Sequence, residues 1–240
     1  MTILDYPSPN HGVRTLPIDM LLLHYTGMKT GHEALERMCD PEWKVSAHYL
    51  VEEDGRIFKL VDEARRAQHA GVSTWHGERD TNSRSIGIEI VNPGHEWGYQ
   101  PFPDAQISAL IGLSQQILSR HKIENKFIIG HSDVAPNRKS DPGELFPWDL
   151  LAQNGIGIAP PKVGEGAHLL VGQGAKNAIA KKAQTLLGEI GYDSPVTGIW
   201  GQHDILNMTA FQRHFYPKRL DGLVDDASLQ ALQMVVAAII

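Results

Sequence analysis

Met20-Leu21-Leu22-Leu23-His24-Tyr25 is an uninterrupted apolar run of strand length that ends on a histidine. Its length and its large apolar residues predict a β-strand, and His24 closes it. Four more stretches read the same way: 47–52, 56–61, 85–91 and 126–130. Glu53-Asp54-Gly55 supplies a hairpin turn between two of them, its Asp-Gly step suiting positive φ. A sheet of about five strands is implied. Between the last two strands, residues 104–121 place Ile107, Leu110, Ile111, Ile117 and Leu118 at helical spacing behind Pro103 and Asp104, predicting a helix with one face on the sheet. A shorter helix is expected over 31–40, with Leu35 and Met38 inward.

The character of the chain then changes. Residues 153–174 are rich in glycine and proline and read as a linker between a first domain, 1–152, and a second, 175–240. The second shows three helical patterns, 175–190, 203–216 and 226–238, separated by turn-rich segments. Leu186, Leu187, Ile190, Phe211, Phe215, Leu229 and Leu232 are its expected core. The fold class is therefore α/β followed by a small all-α unit.

With 240 residues, 42% of them hydrophobic, the chain has room for one sizeable domain and a small one. A net charge of -6 with no basic cluster argues against a nucleic-acid partner. No apolar stretch approaches the ~20 residues of a membrane span. Cys39 is the only cysteine, which excludes an internal disulfide and a thiolate zinc site. The first seven residues lack the basic and apolar regions of a secretory signal. The sequence as written thus implies the cytoplasm, or the periplasm and cell envelope if the N-terminus is truncated or exported by another route.

Three dispersed residues have the chemistry of a metal site: His24, His131 at the end of Lys126-Phe127-Ile128-Ile129-Gly130, and Asp141 in Lys139-Ser140-Asp141-Pro142-Gly143. Two imidazoles and a carboxylate make a zinc site with an open fourth position, the mark of catalysis. Strand ends hold such side chains rigidly at an accessible rim. Zinc hydrolysis also needs a proton carrier and a stabiliser for the oxyanion. Glu89, between Ile88 and Ile90, points opposite to them, and a carboxylate on a buried face is costly unless paired or functional. Lys139, two residues before Asp141, suits the developing negative oxygen. Spacing alone fits a second reading equally well, with Glu89 on a solvent face and Lys139 a solvated loop lysine. A His-Glu-x-x-His helix, a phosphate loop and a Gly-x-Ser-x-Gly elbow are all missing from the sequence.

Several strings together resemble the type-2 N-acetylmuramoyl-L-alanine amidase family. They are Leu22-Leu23-His24-Tyr25-Thr26, Val45-Ser46-Ala47-His48-Tyr49-Leu50-Val51, His69-Ala70-Gly71, Ser85-Ile86-Gly87-Ile88-Glu89-Ile90-Val91-Asn92 and Gly130-His131-Ser132-Asp133-Val134-Ala135-Pro136 through Gly143. The resemblance spans about residues 15–150. It implies a mixed central sheet flanked by helices and one zinc ion per chain. It also implies cleavage of the amide between the lactyl group of N-acetylmuramic acid and L-alanine, in peptidoglycan or muropeptides. Matched by position, His24, His131 and Asp141 are its zinc ligands, Glu89 its acid/base and Lys139 its cation near the scissile carbonyl. His48 and Trp75 are candidates for the substrate groove, each with a structural alternative. Gly191-Tyr192, Val196 to Gly201, Ala210 to Phe215 and Asp221 to Asp225 resemble a small three-helix peptidoglycan-binding module, although Gln202-His203-Asp204 departs from its usual pattern. Such a tethered module would raise the effective substrate concentration. A monomer is expected.

Overall fold

The computed structural model describes residues 2–240. The chain begins with strands β1 (Ile3–Asp5), β2 (His11–Val13) and β3 (Met20–Tyr25), then helix α1 (Gly31–Cys39). Strands β4 (Tyr49–Val51), β5 (Ile57–Lys59) and β6 (Arg65–Ala67) follow. Helix α2 (Thr81–Arg84) leads into strand β7 (Ser85–Ile90), and helices α3 (Gly94–Trp97) and α4 (Asp104–Arg120) precede strand β8 (Ile128–Gly130). After helices α5 (His131–Val134) and α6 (Trp148–Gln153) come strand β9 (Leu169–Val171), helices α7 (Ala178–Ile190) and α8 (Gln202–Phe215), strand β10 (Val224–Asp225) and helix α9 (Asp226–Ile239).

Six strands form the main sheet in the order β1-β5-β4-β7-β3-β8. Only the β4–β5 hairpin is antiparallel, so the sheet is mixed. The strand beyond the expected five is β1, whose Ile3-Leu4-Asp5 is too short to carry an alternating pattern and exists by pairing with β5.

Side-chain alternation decides where the functional residues point. Leu21, Leu23, Ile86, Ile88 and Ile90 face α4, packing against Ile107, Leu110, Leu113 and Ile117. The opposite parity faces the other side and is covered in two separate places. Leu50 and Val91 pack under α1 through Ala34, Leu35 and Met38. Met20, Leu22 and Ile129 pack under the C-terminal helices, in one cluster with Leu187, Phe211 and Leu232. His24 and Glu89 share this second parity and are register partners across the β3–β7 pair. They therefore emerge between the two coverings, and Glu89 lines a cavity there.

One feature of the chain's second half corrects the sequence reading. Leu169–Val171, inside the predicted 153–174 linker, is a strand paired antiparallel with Val224–Asp225. Glycine-rich flanks hide a three-residue strand because its partner lies more than 50 residues away. The helices α7, α8 and α9 share one hydrophobic cluster with Met20, Leu22 and Ile129 on a face of the main sheet.

Candidate metal centre and active site

β3, next to the edge strand β8, delivers His24 fully buried, and β8 delivers His131 from the residue after its last strand position. The chain then turns through α5 and returns so that the Ser132 N–H donates to the Asp141 carbonyl at 2.9 Å. Gly130 permits this return, because a side chain there would collide with Pro142. Tyr99 fixes the loop further on, its hydroxyl donating to the Pro142 carbonyl at 2.8 Å.

Three ligand atoms converge as a result. The Nδ1 atoms of His24 and His131 lie 2.9 Å apart, and Asp141 Oδ2 lies 3.1 Å from the first and 3.0 Å from the second. The far nitrogens are both engaged. His131 Nε2 donates to the Ala70 carbonyl at 3.0 Å, and His24 Nε2 donates to His69 Nδ1 at 2.9 Å, as the hydrogen-bond network assigns the tautomers. With those protons placed, two nitrogen lone pairs and a carboxylate oxygen point at one another with no hydrogen between them. Such a set is stable only around a cation. Ligands of a tetrahedral zinc with bonds of about 2.0–2.1 Å stand about 3.3 Å apart, so the cluster needs only a slight expansion. The residues present fit zinc.

Electrostatics agree with that reading. Burial, and next the neighbouring His131, lower the His24 pKa to about 4, so the ring is neutral at pH 7 and free to ligate. Burial pushes Asp141 up, but His131 and His24 outweigh it and hold the carboxylate far below its ordinary range.

His69 orients His24, and sequence reasoning gave it no role. Asn82 Oδ1 accepts the backbone N–H groups of His69 and Ala70 at 3.0 and 2.8 Å, clamping the loop. Gly87 opens the sheet face for the ring, since a Cβ there would overlap it. The signal was present as a glycine inside Ser85-Ile86-Gly87-Ile88-Glu89-Ile90, a strand interior where glycine marks a close approach. Which side chain makes that approach is visible only in three dimensions.

Above the ligands opens a cavity of about 470 Å³ lined by His69, Glu89, His131, Lys139 and Asp141, with Tyr25 and His95 toward one side and α1 toward the other. Among the described residues, Glu89 Oε2 has no hydrogen-bond partner. Burial, reinforced by the Asp141 charge and opposed by Lys139, raises the Glu89 pKa well above the usual carboxylate value. A carboxyl that holds its proton more tightly than usual is suited to carrying one between reacting groups. Burial also raises the Tyr25 pKa to about 12, so its phenol stays protonated, with the hydroxyl 3.0 Å from His95 Nδ1.

The two groove candidates are elsewhere. His48 is fully buried beneath β7, where its Nδ1 accepts the Gly87 N–H at 2.9 Å and its Nε2 donates to the Arg65 carbonyl at 3.1 Å. Trp75 is 1% exposed, with its ring 5.0 Å from the Tyr192 ring and directly under Gly191. Both take the structural alternative. His48 ties strands together, and Trp75 packs the first part of the chain against the second.

A mixed α/β fold with a convergent His-His-Asp cluster that could hold a metal ion, beside an unpaired carboxyl, is the arrangement of a hydrolase. Residues 14–144 match the family described as N-acetylmuramoyl-L-alanine amidase, and the chain belongs to that family. N-acetylmuramoyl-L-alanine amidase AmiD of Escherichia coli K12 is 38% identical over 229 residues, 90% of this chain and 80% of the relative. The solved complex of E. coli AmiD with anhydro-N-acetylmuramic acid-L-Ala-D-gamma-Glu-L-Lys superposes with a TM-score of 0.79 at 32% identity, covering 94% of this chain and 92% of that one. AmpDh3 of Pseudomonas aeruginosa, in complex with anhydromuramic pentapeptide, gives 0.72 at 30% identity, covering 94% and 92%. The resemblance read from the sequence strings is thereby confirmed at the level of family.

Proposed function

We propose that this protein is a zinc-dependent N-acetylmuramoyl-L-alanine amidase that hydrolyses the amide between the lactyl group of N-acetylmuramic acid and L-alanine of the stem peptide. The observation that carries the reading is the convergence of His24, His131 and Asp141 beside the unpaired carboxyl of Glu89. Muropeptide ligands in the AmiD and AmpDh3 complexes support this substrate class.

His24, His131 and Asp141 hold the metal. When bound, zinc supplies a Lewis acid that polarises the amide carbonyl and acidifies water. Glu89 lines the same cavity and accepts the proton of the attacking water. Its raised pKa lets it keep that proton until the amide nitrogen departs, and it then delivers the proton to the leaving L-alanine amine. Lys139, on the cavity wall, meets the negative charge that develops on the carbonyl oxygen. Tyr25 remains a neutral donor at the rim.

The test is product analysis. Zinc-loaded protein incubated with purified muropeptide should release an intact peptide bearing an L-alanine amino terminus, identified by mass spectrometry. Cleavage inside the stem peptide would assign a peptidase, and release of no peptide would leave a muropeptide-recognition protein. For the C-terminal helices we propose wall affinity, read out by co-sedimentation with insoluble peptidoglycan. Cell fractionation tests the cytoplasmic reading. Among the described residues no helix is long and apolar enough to cross a membrane.

A further inference from the structure

The C-terminal part of the chain reaches the metal centre from behind. Asp133 lies two residues after His131 with its side chain fully buried, and it meets two donors from the C-terminal helices. The Tyr192 hydroxyl, just beyond α7, donates to Asp133 Oδ1 at 2.5 Å. His214 Nδ1, in α8, donates to Asp133 Oδ2 at 2.8 Å. That same Oδ2 accepts the Gly130 N–H at 2.8 Å and so caps the short helix that begins with His131. His214 is itself held between Trp148 and Phe215, each ring centroid 3.8 Å away, so the donor cannot drift.

We propose that Tyr192 and His214 are positioning residues for the metal centre. Through Asp133 they set the placement of residues 130–133. Because Ser132 donates to the Asp141 carbonyl, they set the placement of the Asp141 loop as well. Both ligands that come from outside β3 are thus registered by side chains of the C-terminal part. Its helices complete the catalytic body, whatever affinity for the wall they also have. A buried carboxylate suits the task, since its several acceptor positions bind three donors at once and transmit their geometry to the backbone. Supports of this kind typically change metal affinity or activity about 10–100-fold when removed.

The proposal rests on reading His24, His131 and Asp141 as a metal site, and the experiment separates the two. Cobalt is loaded into the 240-residue chain as wild type, Tyr192→Phe, the Tyr192→Phe/His214→Phe pair, and Val235→Ala as a control. Val235 is a core position of α9 whose loss weakens the C-terminal helices without touching Asp133. The readouts are the visible cobalt spectrum, zinc affinity by chelator competition, and kcat against KM. Tyr192→Phe keeps the ring that packs on Trp75, so the chain should fold. It should change the cobalt spectrum, weaken zinc about tenfold and lower kcat with KM held, and the double variant should do so more strongly. Val235→Ala should lower Tm while spectrum, zinc affinity and kcat stay at wild-type values. A wild type that takes up cobalt with a spectrum and affinity unaltered in Tyr192→Phe overturns the inference alone. Equal disturbance in Val235→Ala also overturns it, showing general loosening in place of positioning. A wild type that binds no cobalt overturns the metal reading and this inference with it.

Discussion

Glu89→Gln separates chemistry from folding, because the substitution keeps the shape of the side chain and removes only its proton exchange. General acid–base catalysis contributes about 100- to 10,000-fold. Here the loss should reach at least about 1,000-fold in kcat, roughly 4 kcal/mol, since no neighbouring carboxyl can take over. Asp141 is committed to the ligand cluster, and Glu96 sits at the exposed rim of the cavity. Zinc content should remain one per chain, because Glu89 is not among the three convergent ligands. Stability should move the other way. The Glu89 pKa is raised in the fold, so the carboxyl binds its proton more tightly there than in the unfolded chain. Its contribution to stability is complete below the ordinary carboxylate pKa and is lost as pH rises toward the folded value, by about 1.4 kcal/mol for each unit of separation. The metal-free variant should match wild type near pH 4 and be the more stable of the two at pH 7. Single-turnover release of stem peptide, zinc analysis and urea melts at the two pH values measure all three. A variant retaining a third of wild-type kcat with full zinc, or one less stable than wild type at pH 7, would refute the reasoning.

Other outcomes follow from the same geometry. Lys139→Ala should lower kcat about 100- to 1,000-fold with zinc retained, as steady-state kinetics and metal analysis would show, because it removes the cavity-wall charge proposed to face the carbonyl oxygen. Burial and then Arg14 hold the His48 pKa at about 3, so the unfolded chain binds a proton below about pH 6.5 that the fold refuses. Stability should therefore fall as pH drops from 6.5, this histidine alone costing about 2 kcal/mol at pH 5, and His48→Gln should flatten the decline in denaturant melts. Trp75→Ala should destabilise by about 3–5 kcal/mol through the cavity it leaves, with KM for muropeptide unchanged, which calorimetry and kinetics together check. Chelation should lower Tm, and zinc at 100 times its Kd should restore about 2.7 kcal/mol.

Sequence patterning located the principal elements well where a segment carries its own signal. Met20–Tyr25 is the strand expected, and Asp104–Arg120 ends one residue short of the predicted helix. Apolar periodicity is a property of neighbouring residues, so it survives without the rest of the molecule. Strands β1, β9 and β10 carry no such signal at two or three residues each and exist through partners distant in sequence.

The functional residues divide along a similar line. The chain alone determined which groups are capable of the chemistry: two strand-end histidines, an aspartate in a Pro-Gly loop, and a carboxylate alternating with isoleucines. Residue type and parity are local, and the strings around them carried the family resemblance as well. The tertiary structure decided what those groups do to one another. It brought Nδ1, Nδ1 and Oδ2 to about 3 Å, set His69 behind His24 through the gap at Gly87, and buried His48 and Trp75 away from the cavity. It also set Tyr192 and His214 against Asp133, 59 and 81 residues away along the chain. Contacts at that separation depend on how the two parts of the chain pack, and no local pattern encodes them.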